Sequence, residues 1–130
     1  MQRKTKEVKM IKILIVDDSA VVRDGLRGIL SPYAEFKIVG EAIDGLDAID
    51  KAGNLRPDVI SIDAQMPGTD GVEATRRIKE RFPEMKVLFL TVHTSYIEEA
   101  LAAGADGYLL KDCGREELFR AIREIGQSLS

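Results

Sequence analysis

Five short apolar runs, "IKILIV", "FKIVGEA", "DVISI", "KVLFLT" and "DGYLLK", alternate with amphipathic stretches along the 130-residue chain. In at least the first, third and fourth, hydrophobicity is nearly continuous rather than alternating, which is the pattern of strands covered on both faces. Strands of that kind need helices on either side, so the class is α/β with a parallel sheet. A β-α unit repeated five times predicts a doubly wound sheet with right-handed crossovers, whose ligands lie beyond the carboxyl ends of the strands.

The intervening stretches carry helix start and stop chemistry. "DSAVVRDGLRGILSP" places Val22, Leu26 and Ile29 on one face and stops at Pro32, which has no N–H to donate. "DGLDAIDKAGN" places Leu46, Ile49 and Ala52 together. "DGVEATRRIKERFP" opens on Asp70, a good cap, and ends before Pro83. "SYIEEALAAG" has Ser95 and Glu98 at capping-box spacing and Gly104 as a stop, and "GREELFRAIREIGQ" closes the chain.

At 45% hydrophobic content a chain of this length makes one ordinary domain, expected over residues 10–130, behind a charged tail at residues 1 to 9. Its net charge of -3 and pI near 5.3 argue against a broad nucleic-acid or anionic-membrane surface. Cys113 is the lone cysteine, so neither an intrachain disulfide nor a multi-cysteine metal site can form. That suits a reducing, cytoplasmic address, with no leader or membrane-spanning stretch in the sequence.

The strand ends then become the place to look. Asp17 and Asp18 follow the first run, Asp63 the third, Thr91 ends the fourth and Lys111 ends the fifth. Taken singly, each has an ordinary reading: Asp18 caps a helix, Asp63 opens a turn before Pro67, Thr91 favours strands and Lys111 is a solvated end. Four of five strands ending in polar groups on one rim favour a shared site. Two carboxylates about 4 Å apart repel by roughly 4 kcal/mol at an effective dielectric near 20, so the Asp17–Asp18 pair calls for a cation or full hydration.

The segments "LIVDDS", "VISIDAQMPGTDG", "LFLT" and "GYLLKD", in this order and spacing, resemble the receiver domain of two-component response regulators over residues 10 to 127. The resemblance implies a flavodoxin-like, five-stranded sheet in the order 2-1-3-4-5 with five helices. It also implies that Asp63 is the phosphoacceptor, receiving a phosphoryl group from the phosphohistidine of a sensor histidine kinase. In that order the first and fourth strands flank the third at about 4.8 Å each. Asp17, Asp18 and Asp63 could then offer oxygens to Mg²⁺ (or Mn²⁺), and by resemblance the Gln65 backbone carbonyl adds another. Lys111 stands two strand spacings from Asp63, roughly 10 Å between backbones, a gap that only a long cationic side chain spans. Phosphoryl transfer asks the protein mainly for positioning and charge neutralisation, so no separate base is required.

By resemblance, Thr91 donates its hydroxyl to the new phosphoryl group and Tyr108 is the switch aromatic that turns inward as Thr91 moves. Without that resemblance Tyr108 is a half-buried strand tyrosine with a wet hydroxyl. The rearrangement alters the face formed by helix 4, strand 5 and helix 5. The resemblance also implies that Gln65 and His93, two positions beyond Asp63 and Thr91, tune phosphoryl lifetime; His93 read alone is an exposed loop residue. Val92 is bulky beside the threonine and restricts access. Cys113 stands near a helix start, where a thiol can be acidified, but is assigned no role. Asp44, Asp70 and Asp106 serve turns and helix starts.

"VHTSYIEEALAAGADGYLLKD" is similar to the NarL/FixJ subclass, which implies output through a C-terminal DNA-binding helix-turn-helix, with a fourth helix shortened here by its loop. The resemblance also implies a homodimer through the helix 4, strand 5, helix 5 face or through helices 1 and 5, with neither nucleic acid nor membrane bound by the receiver itself. Ending at the fifth helix, the chain reads either as a receiver cut from a longer regulator or as one that acts alone. The rival reading is a Mg²⁺-dependent aspartyl-phosphate phosphohydrolase, but that class resembles D-x-D after its first strand, and here the acids are adjacent. Nucleotide binding lacks the G-x-G-x-x-G turn.

Overall fold

The first, second and fourth apolar runs become strands over the whole of their quoted lengths: β1 is Ile11–Val16, β2 Phe36–Ala42 and β4 Lys86–Thr91. The other two are trimmed to β3, Val59–Ile62, and β5, Gly107–Leu110. These elements belong to a computed structural model that describes residues 10–127, so the expected tail at residues 1 to 9 and the last three residues lie outside it. Every strand pairing is parallel and the order is β2-β1-β3-β4-β5, as the resemblance implies.

Successive residues of the central strands feed two cores. Leu14, Val16, Ile60, Ile62 and Phe89 face a layer with α2 (Gly45–Leu55) and α3 (Gly71–Arg81). Ile11, Ile13, Ile15, Val59, Leu88 and Leu90 face one with α1 (Ala20–Leu30) and α5 (Arg115–Gly126). Burial on both faces explains the continuous apolar runs. The register pairs Val16 with Ile62 and Ile62 with Phe89, so the residues that follow β1 and β3 emerge together at one rim.

Several local expectations need correction. Ser19, not Asp18, caps α1, its hydroxyl accepting the Val22 N–H at 3.3 Å. Leu26 and Leu30 are the buried residues of α1, with Val22 and Ile29 only partly covered. In α2, Leu46 is 59% exposed, and the buried face is Gly45, Ala48, Ile49 and Ala52. The helix start lies so near the Thr69 carbonyl that a Cβ at Gly45 would stand 2.3 Å from it, and the small-residue face is the one that fits. Ser95 and Glu98 form no capping box: α4 is the six-residue Ile97–Ala102, preceded by Tyr96 with no side-chain cap. Gly104 does end that segment, at φ +105°. Asp44 and Asp70 cap α2 and α3 as expected. Asp106 instead accepts the Val87 N–H at 2.9 Å and Lys79 Nζ at 3.1 Å, tying β4 to α3.

Candidate functional site

The rim beyond the strands collects every strand-end residue singled out above. Asp17 continues the sheet after β1 by donating its N–H to Ala42 at 3.1 Å. Its buried side chain accepts the Ser19 N–H on Oδ1 at 2.9 Å, while Asp18 points to solvent. Asp63 extends β3 by donating its N–H to the Val16 carbonyl at 3.2 Å, and its Oδ1 accepts the Gln65 N–H at 3.4 Å. The first turn of α3 presses on this residue, and a Cβ at Gly71 would lie 2.1 Å from the Asp63 carbonyl oxygen. The DG step of "GTDG" therefore combines a cap with the one residue that lets α3 start this close.

Thr91 closes β4 fully buried, and its Oγ1 accepts the His93 N–H at 3.3 Å. Lys111 hangs from the same strand through its N–H to the Thr91 carbonyl at 2.8 Å. Its Nζ crosses the rim to Asp17 Oδ2 at 2.8 Å and Asp63 Oδ2 at 3.2 Å. Burial works against the Lys111 charge, but the Asp17 hydrogen bond and the Asp17 and Asp63 charges outweigh it and hold the ammonium above its ordinary value. The lysine thus spans the gap inferred from the sequence, and it also touches Asp17, a contact the sequence did not suggest.

Asp17, Asp18 and Asp63 each bring one carboxylate oxygen within 4.8 Å of the others. Three hard, anionic oxygens with one member open to water form a donor set suited to Mg²⁺ or Mn²⁺, which take oxygen ligands and Mg²⁺ keeps several waters. The same grouping sets the Lys111 ammonium across Asp17 and Asp63, with the buried Thr91 hydroxyl on the next strand. Chemically it can hold a cation among the carboxylates and offer an ammonium and a hydroxyl to a tetrahedral anion at Asp63.

The surrounding residues depart from expectation in three ways. The Tyr108 hydroxyl is not wet but donates to the His93 carbonyl at 2.5 Å, while its ring stacks on Phe89 at 5.6 Å between centroids. His93 is half-buried, its ring edge-on to Tyr96 at 5.8 Å. At Cys113 burial pushes the thiol up, and Glu117 and Asp112 add to it, so the helix start does not acidify it. Gln65 is exposed beside Asp63, and Val92 is 66% exposed beyond Thr91.

Two residues went unread. Ser19 could have been recognised, since serine directly before an apolar-periodic run is a better cap than an acid already needed elsewhere. Arg23 carried only the faint mark of a cation early in a helix, and the structure sets it against the Asp17 carbonyl at 2.7 Å.

Residues 13–123 match the response regulator receiver domain family. The transcriptional regulatory protein DegU of Brevibacillus brevis is 40% identical over 119 residues, covering 90% of this chain and 50% of that protein. The chain spans about half the length of the curated relatives it matches. Among solved structures, the response regulator domain of Thermotoga maritima CheB superposes with a TM-score of 0.87 at 34% identity, covering 94% of this chain and 100% of that one. A LuxR-family DNA-binding response regulator of Staphylococcus aureus superposes at 0.84 with 27% identity, covering 91% and 100%. A full set of strand-end residues on a 2-1-3-4-5 sheet and a match over nearly all the described residues lead to one conclusion: the chain belongs to the receiver domain family of two-component response regulators and is similar to its NarL/FixJ subclass.

Proposed function

We propose that Asp63 accepts a phosphoryl group from the phosphohistidine of a sensor histidine kinase and that the domain then changes its surface to control an output. The observation that carries this reading is the Lys111 ammonium, 3.2 Å from Asp63 Oδ2 at the edge of a three-carboxylate cluster. An Asp63 oxygen attacks phosphorus, the P–N bond to the kinase histidine breaks, and the imidazole leaves with the bonding pair. Lys111 supplies positive charge to the phosphoryl oxygens from its fixed position beside Asp63. Asp17, Asp18, Asp63 and the Gln65 backbone carbonyl would hold Mg²⁺ or Mn²⁺, which supplies charge neutralisation when bound.

Thr91 gives its hydroxyl to the phosphoryl group, shifting the segment after β4, and Tyr108 follows through its bond to the His93 carbonyl. Gln65 and His93 border the path of hydrolytic water and tune lifetime. The domain promotes only its own phosphorylation and dephosphorylation, acting as a regulatory switch in the cytoplasm. Output runs through a C-terminal DNA-binding region, in keeping with the similar LuxR-family DNA-binding response regulator of Staphylococcus aureus, with pairing of receivers through the α4-β5-α5 face or through α1 and α5.

Incubation with acetyl phosphate and Mg²⁺ tests the core of this. One hydroxylamine-sensitive phosphoryl group is expected, mapped to Asp63 by mass spectrometry and abolished by Asp63→Asn. Phosphate mapped to Asp17 or Asp18 would overturn the assignment.

A further inference from the structure

Helix α1 has no acid in its first turn and places Arg23 one residue beyond that turn, near the end where helix amides favour an anion. The arginine is nevertheless well fixed, its side chain only 15% exposed. Its Nη1 donates to the Asp17 carbonyl at 2.7 Å and its Nε to Glu41 Oε1 at 2.9 Å. That carbonyl belongs to the peptide joining Asp17 to Asp18. The other end of the fork is equally constrained: Glu41 lies on β2 paired with Ile15, and its Oε2 is held by Arg27 at 2.8 Å. Asp17 is tied to the same strand through its N–H to Ala42.

Building on the reading of Asp63 as phosphoacceptor, we propose that Arg23 is a positioning residue: it locks the peptide between Asp17 and Asp18 onto β2 and so sets the directions in which the two carboxylates face a divalent cation. A planar guanidinium serves both acceptors at fixed angles, which a lysine ammonium does not reproduce. Groups one bond removed from metal ligands typically change affinity by about 10- to 100-fold when lost. The Arg23 guanidinium is engaged by the Asp17 carbonyl and Glu41, so its effect runs through the acid pair.

Titration of the full chain with MgCl₂ by calorimetry, in wild type, Arg23→Met, Arg23→Lys and Arg123→Met, tests this. Arg123→Met is the matched control, because it also removes an arginine–glutamate pair, with Glu35 at 2.7 and 2.8 Å, but beside the start of β1 rather than its end. Arg23→Met should weaken Mg²⁺ binding by about 10-fold, Arg23→Lys by less, and Arg123→Met by under about twofold. Affinity within about twofold of wild type in Arg23→Met, or an equal loss in Arg123→Met, would overturn the assignment. Should Arg23→Met lack the wild-type far-ultraviolet spectrum, Arg23→Lys decides, a wild-type affinity there overturning the proposal. No Mg²⁺ binding by the wild type would sink the reading of the site itself, whereas binding that ignores Arg23 would sink this inference alone.

Discussion

Replacing Gly71 by alanine should damage the site from behind. The added methyl would lie 2.1 Å from the Asp63 carbonyl oxygen and 3.0 Å from the Ala64 Cα, both main-chain atoms that cannot rotate away. Relief needs a separation beyond 3.4 Å, so either α3 or the end of β3 must retreat by more than about 1 Å. Overpacking of that kind costs about 1–3 kcal/mol or more. For a domain of this size each kcal/mol lowers Tm by roughly 3–5 °C, giving a fall of about 3–15 °C. Gly25→Ala, within α1, is the internal control: nothing lies within 4 Å of its new methyl, and the gain in helix propensity is up to about 1 kcal/mol. The two variants share one chemical change and should move Tm in opposite directions, read by circular dichroism and urea titration. Well below either Tm, the initial rate of phosphorylation by acetyl phosphate should fall in Gly71→Ala and stay at the wild-type level in Gly25→Ala. A Gly71→Ala protein as stable as wild type would refute the close approach of α3 to Asp63.

Three further outcomes are expected. Tyr108→Phe leaves the His93 carbonyl without its hydroxyl partner, so stability should drop by about 1 kcal/mol and amide exchange over residues 92–96 should quicken; unchanged exchange there would show that this bond does not hold the segment. Glu35 titrates below its ordinary 4.5 in the folded chain, chiefly through its hydrogen bond to Arg123. The pair therefore stabilises above that value and its contribution disappears as pH falls through the lowered one, so Glu35→Gln should be less stable than wild type at pH 7 with the gap closing in acid; a gap that widens would reverse the sign. Hydrogen exchange with and without a beryllofluoride mimic should change most over residues 92–100 and at Tyr108 and hardly at all in Ile11–Val16, whereas a maximum in α1 or α2 would contradict a switch after β4.

What the sequence disclosed and what it hid follow from the range of the interactions involved. Continuous apolar runs report burial on both faces directly, so the central strands were legible, the polar residues ending four of the five runs marked the rim, and the strand order came from the family resemblance. Side-chain choice within helices was less so. Leu46 is more apolar than Ala48, yet the close approach of Gly45 to Thr69 turns the small face inward, a backbone spacing that local hydrophobicity does not encode. The start of α4 went astray for a similar reason: Ser95 has capping chemistry, but Tyr96, packed against the first core and edge-on to His93, takes the entry position. Lys111 was legible as a long cation near Asp63, while its contact with Asp17 and the grip of Arg23 depend on rotamers chosen by distant neighbours.

The lysine bridge between the first and last strands has a consequence for biosynthesis. Chains emerge from the ribosome amino end first, and parallel sheets wait for partners distant in sequence. Asp17, Asp18 and Asp63 are therefore synthesised, and can be crowded together by β1 and β3, well before the ammonium that links two of them exists. A nascent chain halted ahead of β5 would have the acids without their covalently supplied counter-charge and the sheet without its closing edge. Competence to hold a phosphoryl group would then arrive only when the fifth strand docks, making it a late event of folding and a report that the whole domain has been completed.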